Sequence, residues 1–212
     1  MKPLVPVTLV GRHVRLEPLG LHHVDGLVAA AADRTTYGLT LVPDGHGPMT
    51  AYVTAALQTA ALGQAVPFAT VRSDGRVAGS TRFGNVERWV WPEGSSESRP
   101  AGCADAVEIG WTWLSASAQR TAVNSEAKLL MLDHAFGEWA VRRVTLKTDA
   151  RNARSRAAIA RLGARLDGIL RSHMPAYDGG ARDSAVYSIL AAEWPDLRAR
   201  LAARLDTVRA AP

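Results

Sequence analysis

The sequence predicts an α/β (α+β) domain in which a mixed sheet is covered on its faces by helices. Three observations lead there. Short runs alternate apolar and polar residues, as half-buried strands do. Strand-like and helix-like periods take turns through the second half, the order that builds a sheet between helices. Across 212 residues, 47% are hydrophobic, enough for one sizeable core, so a single domain over 1–212 is expected.

The elements follow in order. MKPLVPVTLVGRH has one lysine before a short apolar run interrupted by two prolines, with no small-residue cleavage site after it. It reads as the start of a strand and not as a signal peptide. HVRLEPL (13–19) alternates as a strand, LHHVDGLVAAAAD (21–33) has helical spacing, and a second helix is expected near 50–62. FATVR (68–72) and VAGSTRF (77–83) form a hairpin through SDGR, because Asp-Gly supplies the positive φ of a tight turn. Residues 84–104 hold Trp89, Trp91, a serine cluster and Pro100, and read as a loop insertion, since the strand DAVEIGWTWL (105–114) resumes at once.

QRTAVNSEAKLLMLDHAF (119–136) joins a polar turn to a long helical pattern. RRVTLKTD (142–149) is a strand, and NARSRAAIARLGA (152–164) is a helix that Asn152 can cap and Gly163 can close. Segments 165–174 and 183–190 are two further strands around PAYDGGA, and 193–209 is a final helix with Pro195 in its first turn.

Composition narrows the function classes. Cys103 is the one cysteine, and no His/Cys cluster has metal-ligand spacing, so the expectation is a reduced, cytoplasmic protein with no metal. No stretch approaches membrane-spanning length. The net charge of +5 is carried mainly by scattered arginines, concentrated only between Arg142 and Arg171. No aromatic residue lies between Trp139 and Tyr177, which disfavours a nucleic-acid face and favours a small polyanionic ligand.

The start of 119–136 suits such a ligand. First-turn amides have no partner within a helix and the dipole is positive there, so the short polar residues from Gln119 to Ser125 can let an anion approach. A plain cap by Asn124 or Ser125 explains the same residues. No Gly-Lys-Ser/Thr is present, so this is not the loop of nucleotide hydrolases.

Taken together, VEIGWTWL (107–114), QRTAVNSEAKLLMLDHAF, RRVTLKTDARNARSRAAIARLGAR (142–165) and 183–190, with GRHVRLEPL (11–19), resemble the GNAT N-acetyltransferases, in particular the RimJ/RimL-like branch. The resemblance covers nearly the whole chain and is strongest over 107–174. It implies a twisted, mostly antiparallel sheet of about seven strands with a V-shaped opening for acetyl-CoA between 107–114 and 142–148. The family's phosphate loop reads Gln/Arg-x-x-Gly-x-Gly/Ala. Gln119 matches it, and Ala122 and Asn124 stand where the small residues are expected, Asn124 adding a side chain there. By the resemblance, backbone groups of Trp113, Leu114 and Ser115 pair with the pantetheine. Amides across Arg120, Thr121, Ala122, Val123, Asn124 and Ser125 hold the pyrophosphate. Asn152 and Ser155 match the family's Asn-x-x-Ser, with Asn at the pantetheine arm and the hydroxyl near the thioester sulfur. Asn152 serves equally as a helix cap, and Ser155 as its partner.

Acyl transfer to an amine requires loss of an ammonium proton, alignment with the thioester, oxyanion stabilisation and protonation of the departing thiolate. Glu108 alternates away from Ile109, Trp111 and Trp113, which are expected in the core, so it can face the opening. It resembles the base of many relatives, or else is a strand carboxylate paired with an arginine. Ser155 is the first choice of acid and Tyr187 the second, the latter also readable as an ordinary sheet tyrosine. His173 could shuttle protons, and Met174 beside it looks like core.

The resemblance further implies that the acceptor enters between 35–47, the Trp89/Trp91 insertion and 175–183. Asp44, Glu87, Glu93, Asp178 and Asp183 could draw a cationic amine there. Two tryptophans in one insertion also suit a homodimer contact. The reading is therefore an acetyl-CoA-dependent N-acetyltransferase acting on a protein N-terminus or small amine. The alternatives are a non-catalytic acyl-CoA-binding or regulatory module on the same scaffold, and a basic nucleic-acid binder.

Overall fold

A computed structural model describes residues 4–208. The first three residues of the expected N-terminal strand start and residue 209 of the expected final helix lie outside that range. In chain order the elements are β1 (Leu9–Val10), β2 (Val14–Pro18), α1 (Val24–Ala30), α2 (His46–Ala61), β3 (Val66–Arg72) and β4 (Val77–Glu87). They continue with β5 (Ala106–Leu114), α3 (Ala122–Asp133), β6 (Arg143–Asp149), α4 (Ala153–Arg161), β7 (Arg165–Pro175), β8 (Ala181–Leu190) and α5 (Trp194–Val208).

Among the described residues eight strands form one sheet in the order β1-β2-β3-β4-β5-β6-β8-β7, antiparallel throughout except between β5 and β6. The sheet thus has one strand more than expected. The extra one, β1, is only two residues long, too short to leave an alternation in the sequence. α2 starts four residues before the expected 50, because Pro48 lies in its first turn, where a missing N–H costs nothing.

Each face of the sheet carries its own core. On one, Val107, Ile109, Leu114, Val144, Leu146 and Tyr187 pack with Met131 of α3 and Leu201 of α5. On the other, Trp113 and Val71 pack with Leu27 of α1 and Val53 of α2. Ile109 and Trp113 would share a face in a regular strand, yet they lie in different cores. The reason is a bulge: the β4–β5 register slips between Ser80/Trp113 and Arg82/Gly110, and Trp111 takes a left-handed φ of +52°. The extra residue inverts the alternation, so Trp111 is 44% exposed instead of buried in the core as expected.

A second buried device ties α3 to the first strands. Glu126 is 4% exposed and its carboxylate accepts the backbone amides of Arg12, His13 and Val14 at 2.9, 2.6 and 2.9 Å. Three charge-assisted bonds compensate its removal from water.

The 84–104 insertion starts later than expected, since β4 runs to Glu87, and Asp105 anchors it. The buried Asp105 carboxylate accepts Trp89 N at 2.8 Å and Trp91 Nε1 at 3.3 Å, and pairs with Arg99 and Arg142 at 3.3 and 3.5 Å. Asp105→Ala should cost about 3–5 kcal/mol, the usual loss when one member of a buried charge cluster is removed. It should also open 88–104 to protease; a denaturation midpoint and a cleavage pattern like those of the parent would disprove the anchoring role. Met174, expected in the core, is 41% exposed because β7 is the outermost strand.

Candidate active site

β5 and β6 pair side by side over only three residues, Ala106↔Arg143, Val107↔Val144 and Glu108↔Thr145. Past Glu108 they part. β6 stays with β8 as far as Asp149↔Ser184, while β5 stays with β4 as far as Leu114↔Gly79. A wedge opens between them, and Glu108 sits at its fork.

Glu108 is 7% exposed, and both its polar contacts fall on one oxygen: Oε2 accepts Asn85 Nδ2 at 2.7 Å and meets Lys147 Nζ at 2.8 Å. Its partner is therefore a lysine of β6, not an arginine. Lys147 alternates with Val144 and Leu146, which face the opposite core, so it shares Glu108's face. Tyr187 pairs in register with Leu146 and so lies on the other face, 5% exposed, its phenol oxygen accepting Arg156 Nε at 3.1 Å. The structure does not bring Glu108 and Tyr187 together.

The edge of β5 facing the wedge is narrower than the sequence suggested. The Trp113 carbonyl lies against Gly79 of β4, and Ser115 gives its N–H to Ala78 O at 2.7 Å while its carbonyl accepts Ala118 N and Gln119 N. By alternation, Thr112 and Leu114 turn their backbone groups to the wedge. The Leu114 carbonyl accepts Gln119 Nε2 at 2.9 Å, and the same amide reaches Thr36 Oγ1 at 3.0 Å. Gln119 thus folds back onto β5. Arg154 of α4 bonds Thr36 O from the other side, so segment 34–36 lies between the starts of α3 and α4.

The cap of α3 is neither Asn124 nor Ser125. Thr121 takes that position, its hydroxyl accepting Val123 N at 3.3 Å and donating to Ala118 O at 2.7 Å. Arg120 just before it has φ of +59°, which turns the chain sharply into the helix. Ala122, Val123, Asn124 and Ser125 form the first turn, where amides such as those of Ala122 and Asn124 have no carbonyl of their own helix to bond. At α4, Asn152 caps by accepting Ser155 N at 2.9 Å, as one of its two sequence readings had it, and Gly163 closes the helix at φ +93°. The Ser155 hydroxyl makes no hydrogen bond to any described residue.

Several acids expected near the acceptor are committed elsewhere. Arg151 binds Asp149 and Asp178 at 2.8 and 2.7 Å and holds both carboxyls below the usual range. Asp183 accepts Ser172 N at 2.8 Å, and Glu87 accepts Trp89 Nε1 at 2.8 Å. His173 is bonded to Ser184 at 3.0 Å. Among the described residues, no cluster of three or more His, Cys, Asp or Glu could hold a metal ion, and no helix is long and apolar enough to cross a membrane.

Three residues beside Glu108 escaped the sequence reading: Asn85, Lys147 and Arg82. Lys147 and Arg82 carried a faint signal, being charged residues inside apolar strand patterns, but only the strand register shows that they share the sheet face of Glu108.

Residues 13–165 match the family model described as an acetyltransferase (GNAT) domain. Among solved structures, a GCN5-related N-acetyltransferase from Brucella melitensis is 27% identical, covering 96% of this chain and 87% of its own, with a TM-score of 0.80. A T. thermophilus protein, whose assignment as an acetyltransferase is itself provisional, is 34% identical over 95% of this chain and 98% of its own, at TM-score 0.71. RimJ of Mycobacterium smegmatis, solved with CoA-disulfide, shares the fold at 22% identity, TM-score 0.77, covering 96% of this chain and 97% of its own. No curated protein matches the chain significantly.

Proposed function

The chain belongs to the GNAT acetyltransferase family, and from that premise we propose that it moves an acetyl group from acetyl-CoA directly to a primary amine, on a protein N-terminus or a small molecule, with Glu108 as base. The observation that carries this reading is the parting of β5 from β6 just beyond Glu108, which leaves a backbone edge and a carboxylate at the same fork. Acetyl-CoA supplies the activated carbonyl. Thr112 offers its backbone groups, and Leu114 its N–H, to the pantetheine amides in the manner of an added strand. The first turn of α3, from Ala122 to Ser125, offers amides and a positive dipole end to its pyrophosphate.

With Lys147 and Asn85 holding Oε2, Oε1 is left to accept the ammonium proton, directly or through water. Ser155 is the better acid for the leaving sulfur, because its hydroxyl is unengaged at the first turn of α4. Tyr187 suits less, being buried against Arg156 on the opposite face.

Calorimetric titration with acetyl-CoA and with desulfo-CoA tests the cofactor half, and an acetyl-transfer screen over N-terminal peptides and amines tests the rest. Asn124→Asp should weaken acetyl-CoA binding about tenfold, since it sets a carboxylate against the pyrophosphate in the first helical turn. Equal affinity in the two proteins would move the phosphates away from α3. Binding without turnover on any amine would instead favour an acyl-CoA-binding module.

A further inference from the structure

Among the described residues, Arg82 of β4 is a buried cation without an anion. It is 7% exposed, its Nε is shielded from solvent with no hydrogen-bond partner, and its guanidinium forms neither hydrogen bond nor ion pair with any described residue. It lies instead between two aromatic rings, 5.2 Å from the centre of Tyr52 and 4.8 Å from that of Trp111. Stacking offsets part of the cost of burying the charge, but it uses none of the five N–H donors. An unpaired guanidinium in such a place is unfavourable unless something else completes it.

The surroundings are built. Tyr52 is held by donating to Ser80 Oγ at 3.2 Å, and that hydroxyl donates to Phe68 O at 3.0 Å. Trp111 is turned onto this face by the bulge, and its indole lies so close over Gly84 that a β-carbon there would come within 2.5 Å of the ring. A left-handed φ at a tryptophan is uncommon and costs free energy, so the bulge holds the ring there against its own preference. Arg82 faces Gly110 in register, and Gly84 faces Glu108, so the guanidinium and the carboxylate lie on one face, two residues apart along the strand. That offset is about 7 Å. Lys147 and Asn85 hold Glu108 through Oε2, and its carboxylate forms no ion pair with Arg82.

We propose that Arg82 is the acceptor's anchor, and that the acceptor is a small amine bearing a carboxylate a few bonds from the nitrogen, of the amino-acid class. This rests on the acetyl-transfer reading above. The planar guanidinium takes the carboxylate as a forked pair, Tyr52 and Trp111 flank it, and the amine is thereby delivered toward Glu108. Such an anchor discriminates strongly, because an acceptor without the anion leaves the guanidinium buried and unpaired in the complex.

The test pairs each amino acid with its decarboxylated counterpart, phenylalanine with phenethylamine, tyrosine with tyramine, lysine with cadaverine, and measures CoA release for both. At least one amino acid should exceed its amine in kcat/KM by about 100-fold or more. Arg82→Met should erase that preference, chiefly through KM, while Arg82→Lys should restore part of it. The wild-type preference needs no variant, so a misfolded Arg82→Met leaves the test intact. Equal or reversed preference in every pair overturns the proposal. So does turnover confined to N-terminal peptides, which would put the acceptor on a polypeptide. Failure to bind acetyl-CoA in the calorimetric titration would fell the transferase reading itself, and is a separate result.

Discussion

Glu108→Gln will lower kcat for a good acceptor by about 10²–10⁴, the usual contribution of a positioned general base, while acetyl-CoA affinity stays within about twofold. The two effects separate because Glu108 lies at the fork, on a face from which the first turn of α3 is remote in the chain and in its bonding. Glutamine keeps the shape and an amide oxygen for Lys147 or Asn85, but not the charge or the basicity. Lys147, half-buried, is then left without its counter-ion, so a modest drop in melting temperature accompanies the loss of turnover and is measured alongside it. Unchanged kcat would remove Glu108 from the base role. Lost acetyl-CoA binding would make it a support of the wedge instead.

The second large effect concerns Lys128, a residue outside the proposed chemistry. It is fully within the core beneath α3, its Nζ donating to Thr112 Oγ1 at 2.6 Å and Thr81 Oγ1 at 3.0 Å, with Met131 Sδ near the same hydroxyl. No carboxylate of a described residue pairs with it. Burial therefore pushes Lys128 down to about 7 from 10.5.

Between those values the unfolded chain holds a proton that the folded chain has released, so stability rises with pH across that window. Below about 7 both states are protonated and the full penalty stands, at most about 5 kcal/mol. Lys128→Met fills a similar volume, and Thr81 and Thr112, already 2.8 Å apart, can keep their own bond. The variant should be several kcal/mol more stable than the parent at pH 6 and nearly equal to it at pH 10. Urea denaturation of both proteins at the two pH values measures this. A difference that does not shrink with rising pH would mean that Lys128 is charged and otherwise compensated.

Much of the fold could be read along the chain. Alternation found seven of the eight strands, and the capping residues of α4, Asn152 and Gly163, were visible because caps are local chemistry. Glu108 was legible as a carboxylate facing away from an apolar strand face. The start of α3 was half legible: its polar residues announced an anion-friendly helix start, but Thr121, not Asn124 or Ser125, closes it, since capping depends on where the chain actually turns.

Reading along the chain was enough for the class of domain, the order of its strands and helices, its family and a carboxylate turned away from the apolar face of β5. These rest on periodicity and on short-range chemistry, which act between residues near in the chain. The bulge that inverts β5 and throws Trp111 outward, and the pairing of Glu108 with Lys147 and Asn85, exist only once the chain has folded. Folding likewise left Arg82 between two rings and Lys128 in the core, neither with a carboxylate partner among the described residues. A bulge inserts one residue into a register that no local pattern records, and whether a buried charge finds a partner depends on which strands come to lie side by side.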